Sequence, residues 1–118
     1  MAEVKRGEIW LADLDPTVGH EINKTRPTVI IQNDTGNLYS PTTIVAPLTT
    51  KKLDNIRVYE VFLGGKRFGL TEDSKVLLSQ IKVVDKSRLI KKLGTLDHDT
   101  MLKVDEAIKI SLGLIKIS

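Results

Sequence analysis

Short apolar segments separated by turn-forming residues dominate the first two-thirds of the chain. The most constraining is residues 27–32, which begin with proline, are rich in β-branched residues and precede a polar stretch at 33–37. Such a run is typical of a strand buried on both faces and ended by a turn. Strands are predicted at residues 8–12, 27–32, 42–48, 58–63, 74–78 and 82–84. Many short strands at close intervals predict a small, strongly bent sheet or barrel. Pro47, which cannot donate to a strand ladder, is expected at a sheet edge or a bulge.

After Asp85 the pattern becomes helical. Residues 86–93 predict a short helix that ends at Gly94. Asp97 is placed to cap a longer helix reaching about Leu112, because its side chain can accept hydrogen bonds from the free N–H groups of the first turn. Apolar residues at helical spacing form one stripe along it: Met101, Val104, Ile108 and Leu112. The predicted fold class is mainly β with C-terminal helices (α+β).

Composition indicates one globular domain, residues 1–118. Hydrophobic residues make up 41% of the chain and charged residues 28%, and there is no cysteine. Disulfides, thiolate metal sites and a cysteine nucleophile are therefore excluded. The N-terminal segment has no apolar signal core, and no apolar run approaches the roughly 20 residues that span a bilayer. We therefore expect a cytoplasmic protein without a membrane partner.

Positive charge is concentrated in one stretch of the chain. The net charge is only +3. Between residues 51 and 67, however, two acids face five cations, which are Lys51, Lys52, Arg57, Lys66 and Arg67. Such a stretch can guide a phosphate backbone, and the alternative is an ordinary solvated surface.

Two polar residues are predicted at the rims of buried strands. Arg26 directly precedes the apolar run 27–32, and Thr49 ends the run 43–49. A fixed cation and a fixed hydroxyl are what a protein needs to hold and polarise a phosphate. The alternatives are an ion pair of Arg26 with Glu21 and a strand-end hydroxyl of Thr49 bonded to its own backbone.

Several short motifs follow one another in order along nearly the whole chain. They are RGEIW at 6–10, DP at 15–16, GHE at 19–21, TRP at 25–27, QND at 32–34, IVAPLT at 44–49, LLSQI at 77–81, VVDKSRL at 83–89 and SLGL at 111–114. This ordered set resembles the MazF/PemK-type toxins of type II toxin–antitoxin systems. One departure concerns the two glycines that many members carry before the R-P motif, since Asn23 and Lys24 occupy those positions here. A stiffer and more basic loop is expected.

The resemblance implies an SH3-like small β-barrel of the PemK/CcdB-like toxin fold, working as a homodimer. It implies a metal-independent, sequence-specific endoribonuclease that needs no cofactor, cleaves single-stranded RNA, mainly mRNA, and arrests growth. It also implies a cognate antitoxin whose flexible acidic tail occupies the RNA groove.

The resemblance also implies roles for individual residues. Arg26 and Thr49 match the catalytic pair, and Glu21 matches an acid that orients Arg26 or acts as a base. The residues expected to bind RNA are His20, Lys24, Lys51, Lys52 and Gln80. No metal ligands are expected, and an acid–base pair of His20 with His98 is disfavoured because His98 falls near the start of the final helix.

Cutting RNA needs no protein nucleophile, because the neighbouring 2′-OH can attack the phosphorus. The enzyme must align that attack and stabilise the charge of the pentacoordinate state. Arg26 suits charge stabilisation rather than general base catalysis, since a guanidinium pKa lies above about 12. The expected products are a 2′,3′-cyclic phosphate and a 5′-OH end.

Two rival functions fit the same fold. The first is a non-catalytic SH3-like barrel that binds RNA or peptide. The second is a toxin that inhibits a topoisomerase through its C-terminal residues, here 116–118.

Overall fold

The computed structural model describes residues 3–117 of the chain. Its strands are β1 (Glu8–Asp13), β2 (Thr25–Ile30), β3 (Thr42–Thr49), β4 (Glu60–Leu63), β5 (Ser74–Leu77), β6 (Lys82–Asp85) and β7 (Leu89–Thr95). The helices are α1 (Asp34–Tyr39) and α2 (His98–Ser111), and 3₁₀ turns occupy Leu78–Gln80 and Lys86–Arg88. The predicted strands are thus present, each with ends shifted by no more than two residues. No helix of residues 3–117 is long and apolar enough to cross a membrane.

The strands form a 7-stranded antiparallel sheet in the order β4-β5-β3-β2-β1-β7, with β6 also paired to β3. Within residues 3–117 the order does not return to its first strand, so the sheet is open. The architecture is therefore an open, mostly antiparallel sheet with one C-terminal helix, and this pairing does not produce a closed barrel.

β3 changes partners along its length. Its first half pairs with β6 as far as Val45, and its last residues, Leu48 and Thr49, pair with β5. Pro47 lies in the interval between these two partners, while its other side faces β2. The missing N–H of proline therefore falls where no neighbouring strand needs a donor. Pro47, expected at a sheet edge or a bulge, instead lies in a central strand, at the point where β3 changes partner from β6 to β5.

Apolar residues are buried on both faces of the sheet. One cluster includes Ile9, Val29 and Leu48 and packs against Val104 and Ala107 of α2. The other includes Trp10 and Ile30, which alternate with residues of the first cluster along β1 and β2. Successive strand side chains point to opposite faces, so this alternation places a core on each side. The prediction that residues 27–32 are buried on both faces is confirmed for Thr28, Val29 and Ile30.

The helix predicted at residues 86–93 is wrong. After the short turn Lys86–Arg88 the chain extends into β7, which pairs with β1 through two register shifts. β1 otherwise pairs only with β2 among the described strands, and the backbone pairing that β7 supplies outweighs the helical propensity of its lysines and leucines. The structure therefore has one C-terminal helix where two were predicted.

Gly94 does not end a helix but allows two backbone segments to meet. A Cβ atom added there would lie well within 3.0 Å of the Phe68 carbonyl, and one added at Gly69 would meet the Leu93 carbonyl equally closely. Gly69 also has a φ of 81°, which favours glycine. This glycine contact brings the segment after β4 against β7, across the open side of the sheet.

The capped C-terminal helix is confirmed. The Asp97 side chain accepts a hydrogen bond of 2.8 Å from the Thr100 N–H, and the helix ends at Ser111. Along its predicted apolar stripe Val104 is fully buried and Met101 and Ile108 are partly buried, whereas Leu112, beyond the helix, is 60% exposed. The predicted turn at 33–37 is also different, because Asn33 caps the short helix α1 there.

A candidate active site between two facing strand ends

Arg26 is the second residue of β2 and Thr49 is the last residue of β3, so the two lie at the same end of this antiparallel strand pair. The register pairs Thr28 with Pro47 and Val29 with Ala46. The paired register stops at Thr28 and Pro47, two residues short of Arg26 and Thr49, and the Arg26 side chain reaches across to Leu48 O, next to Thr49. Both residues also line one cavity. The two rim residues of the sequence therefore form one site.

The Arg26 side chain is held by main-chain oxygens rather than by a carboxylate. Its Nε donates to Asn23 O at 2.7 Å and its Nη1 donates to Leu48 O at 3.3 Å. Partial burial lowers the pKa of Arg26, and the nearby Asp15 carboxylate opposes that shift. The guanidinium is fixed in orientation and partly desolvated, which strengthens its interaction with an anion. No ion pair with Glu21 occurs in the described part of the chain.

The Thr49 side chain forms the hydrogen bond to the local backbone that was the structural alternative to a catalytic role. Its Oγ1 accepts a hydrogen bond of 3.2 Å from the Lys51 N–H. This bond fixes the side chain but uses only an acceptor lone pair, so the hydroxyl proton can still be donated. The structural interpretation and the catalytic one are therefore compatible at this position.

Arg26 and Thr49 line one cavity of about 370 Å³. Leu70 and Leu93 add apolar surface, and the glycine contact, through Gly69, forms part of the same wall. Glu72 contributes a carboxylate to the lining. The cavity can accept one phosphate group with part of its neighbouring sugar or base, with a cation and a hydroxyl side by side.

A second depression lies on the other side of Thr49 and brings together four of the five predicted RNA-binding residues. They are His20, Lys51, Lys52 and Gln80. We call this surface the basic depression. Thr49 lines both it and the cavity, so a chain of phosphates could continue from one into the other.

Lys24, the fifth predicted RNA-binding residue, lines neither surface. It has a φ of 69°, and its N–H donates to the Asp15 carboxylate at 3.0 Å. A positive φ is unfavourable for a residue with a Cβ. Lys24 therefore adopts the left-handed conformation that a glycine would take more readily.

Glu21 lies in the loop between β1 and β2, and Gln80, in the 3₁₀ turn Leu78–Gln80, bonds to that loop; neither lines the cavity. Glu21 Oε1 accepts from the Val18 N–H at 3.2 Å, and Glu21 does not line the cavity with Arg26. The Gln80 amide accepts from the Ile22 N–H at 3.3 Å and donates to His20 O at 3.4 Å. In this structure Gln80 fixes the loop.

Sequence reasoning missed three polar residues near the site. Asp15, treated as a turn residue, has the carboxylate that acts on Arg26 and holds Lys24. Lys75 and Glu60 form a buried ion pair of 2.9 Å beside the basic depression. Alternation along β5 places Lys75 on the face opposite to the core residues Val76 and Leu78, so the sequence held no signal that this lysine would be buried.

Comparison with known proteins identifies the family. Residues 5–112 match the family described as PemK-like, MazF-like toxin of type II toxin–antitoxin system. The chain belongs to this family. It is also 48% identical over 112 residues to the endoribonuclease EndoA of Bacillus subtilis (strain 168), covering 95% of this chain and 97% of that protein. The resemblance inferred from the ordered motifs is confirmed.

Solved structures of the family have the same fold. A MazF from Deinococcus radiodurans superposes with a TM-score of 0.81 at 21% identity, covering 96% of this chain and 99% of that one. An endoribonuclease from a mycobacterial species, in complex with its cognate antitoxin, gives a TM-score of 0.78 at 24% identity, covering 97% and 99%. At these identities the likeness establishes the fold.

Proposed function

We propose that this chain is the endoribonuclease toxin of a type II toxin–antitoxin system and cuts single-stranded RNA, mainly mRNA, at a phosphate held between Arg26 and Thr49. The observation that carries the proposal is their juxtaposition at facing strand ends, in a cavity of about 370 Å³. Family membership and the likeness to EndoA support the same activity.

In the proposed reaction the 2′-OH attacks the adjacent phosphorus, so that a P–O2′ bond forms and the P–O5′ bond breaks. The products are a 2′,3′-cyclic phosphate and a 5′-OH end. The Arg26 guanidinium is held by Asn23 O and Leu48 O and offers its remaining N–H groups to the non-bridging oxygens. Thr49 adds one donated hydrogen bond. No protein nucleophile and no metal ion are required.

Two protons must move in this scheme: the 2′-OH loses one and the leaving 5′-oxygen gains one. Arg26 is a candidate donor to the leaving 5′-oxygen because it lines the cavity beside Thr49. Glu21 is the candidate acceptor that the family resemblance implies for the 2′-OH proton. Its carboxylate is bonded to its own loop, so this role requires the β1–β2 loop to move towards the cavity.

The basic depression supports the proposed partners. Its lysines, Lys51 and Lys52, would hold phosphates that flank the scissile one and would read no base, whereas His20 and Gln80, which line the same surface, would contact the bases. An antitoxin with a flexible acidic tail would fit the same surface as a polyanion. We further propose a cytoplasmic homodimer. An SH3-like barrel is supported by the glycine contact across the open side of the sheet.

Cleavage of a long transcript by the purified protein in the presence of EDTA tests the proposal. We expect 5′-OH ends, detected because a polynucleotide kinase labels them without phosphatase treatment. Arg26→Ala should lower the rate about 10²–10³-fold, the usual effect of losing a donor to a developing oxyanion. Lys103→Ala on the exposed face of α2 is the charge-matched control and should cut normally. Cleavage that survives Arg26→Ala unchanged would refute the assignment.

The same assay separates the rival functions. A non-catalytic module would bind RNA and release no product. A topoisomerase inhibitor would depend on the C-terminal residues more than on Arg26 and Thr49. Of those residues Lys116 and Ile117 are exposed, and Ser118 lies outside the described residues. Truncation after Ile115 should leave RNA cleavage intact if the proposed function holds.

A further inference from the structure

The ion pair between Lys75 and Glu60 is buried beside a surface loop, and the proposed chemistry does not use it. Only 6% of the Lys75 side chain and 8% of the Glu60 side chain is exposed. Lys75 lies on β5 and Glu60 begins β4. Burying an ion pair costs desolvation energy that a simple apolar packing would avoid. The position therefore calls for a role besides core formation.

The contacts of Lys75 indicate what that role is. Besides Glu60, its ammonium group donates to Lys52 O at 3.0 Å and to Asn55 O at 3.2 Å. An ammonium has three protons, and each has an acceptor here. Two of the three acceptors are main-chain oxygens of residues 50–59, which we call the basic loop. Through these two hydrogen bonds Lys75, on β5, holds the basic loop against the sheet.

Two further bonds place the basic loop relative to the candidate active site. Thr49 Oγ1 accepts from the Lys51 N–H at 3.2 Å, and Glu60 Oε1 accepts from the Arg57 N–H at 2.9 Å. Lys52, whose carbonyl Lys75 holds, has a φ of 55°. A residue with a Cβ keeps that conformation only where its surroundings impose it. The loop therefore has an imposed shape that directs Lys51 and Lys52 towards the basic depression.

We propose that Lys75 is a positioning residue for RNA binding: by holding Lys52 O and Asn55 O it fixes the basic loop, so that Lys51 and Lys52 meet the phosphates flanking the one between Arg26 and Thr49. This inference rests on the proposed function and deepens it. Lys75 itself is too buried to contact RNA, and its effect passes through the loop.

The decisive variant is Lys75→Met/Glu60→Gln. It removes one charge of each sign, so the net charge is unchanged and no unpaired charge stays buried. The glutamine keeps an oxygen for the Arg57 N–H. Glu60→Gln alone leaves the buried Lys75 ammonium without its carboxylate but keeps its bonds to both carbonyls, so it separates loss of the ion pair from loss of the hold on the loop. Lys103→Met on the exposed face of α2 is a second control, far from these contacts. All are compared at a temperature where circular dichroism shows each protein folded.

Binding is measured with an RNA analogue that carries 2′-deoxy substitutions and cannot be cut. For the double variant we expect the slope of log K against log salt concentration to fall by about 1.4, or about 0.7 for each of the two lysines. On cleavable RNA, KM should rise about tenfold while kcat changes less, because the flanking contacts are made in the ground state as well. Glu60→Gln and Lys103→Met should keep slopes close to that of the wild type.

Hydrogen–deuterium exchange provides a readout that does not depend on activity. The double variant should exchange faster in residues 50–59 and at an unchanged rate in β1 and β2. An unchanged salt slope or unchanged exchange in the double variant would overturn the inference. So would a Glu60→Gln variant that loses as much slope as the double variant. If the wild-type protein cuts no RNA, the proposed function fails instead, and the exchange experiment still shows whether Lys75 holds the loop.

Discussion

The glycine contact gives the sharpest stability prediction, because it joins two backbone segments with no side chain between them. We consider Gly94→Ala. The added Cβ would lie well within 3.0 Å of the Phe68 carbonyl, a distance that real Cβ atoms essentially never show. Gly94 has no positive φ, so the whole effect is steric. The atoms that the Cβ would meet belong to the Phe68 backbone, not to a flexible side chain. Either β7 or the segment around Phe68 must therefore move by about 1 Å.

The expected cost follows from that displacement. Overpacking costs about 1–3 kcal/mol, and a backbone collision belongs at the upper end of this range, about 3 kcal/mol. For a chain of this size, 1 kcal/mol shifts Tm by about 3–5 °C, so Tm should fall by about 9–15 °C. Leu93 and Gly69 line the cavity, so the rate of RNA cleavage should fall as well.

Gly64→Ala is the matched control. An added Cβ at Gly64 meets nothing within 4 Å, and its φ is also not positive. This variant should equal the wild type or gain up to about 1 kcal/mol by restricting the unfolded chain. Both variants are measured by urea and thermal unfolding at one protein concentration, since association shifts apparent stability. A Gly94→Ala protein as stable as Gly64→Ala would show that the close approach of Gly94 to Phe68 does not constrain the fold.

Three further predictions concern single side chains. Lys24→Gly should raise stability by about 1 kcal/mol, because glycine adopts the positive φ of this position without strain; a loss of stability on urea unfolding would contradict this. Burial raises the pKa of Glu8, but hydrogen bonds from Lys92 and Trp10 outweigh it, so the pKa is lowered; the stability that Glu8 supplies is present above its unfolded pKa of about 4.3 and is lost as pH falls below it. Glu8→Gln should therefore be less stable than the wild type at pH 7, and the two free energies of unfolding should converge in acid, which unfolding curves from pH 7 to 3 would test. Thr28→Val should cost about 1–2 kcal/mol, because it removes the buried 2.8 Å bond from Thr28 Oγ1 to Trp10 O; a neutral result in the same assay would show that this carbonyl is satisfied without it.

The sequence was sufficient to predict the strands and the capped helix, because those follow from local signals. Residues 27–32 are apolar and β-branched, and Asp97 has the side chain that a helix N-terminus requires. The candidate site could be predicted from the sequence for a similar reason. Arg26 and Thr49 flank apolar runs, and the antiparallel pairing of β2 with β3 brings those strand ends close together.

The features that were missed depend on contacts distant in sequence. The helix predicted at 86–93 ignored the pairing of β7 with β1, which outweighs local propensity. Gly94 looked like a helix terminator because the collision it avoids involves Phe68, 26 residues earlier in the chain. The role of Lys75 could not be found either, since its acceptors are carbonyl oxygens that any residue would supply.

The change of partners along β3 has a consequence for the order of folding. β1, β2 and β3 are neighbours both in sequence and in the sheet, whereas β5, β6 and β7 return to β3 and β1 from later in the chain. Pairings between sequence neighbours close short loops and form early, and distant ones form late. We therefore expect Arg26 and Thr49 to face each other in the first meander to assemble, before Leu70 and Leu93 complete the cavity walls. The proposed catalytic pair would then form before its pocket, and a nascent chain would carry the pair before it could hold RNA.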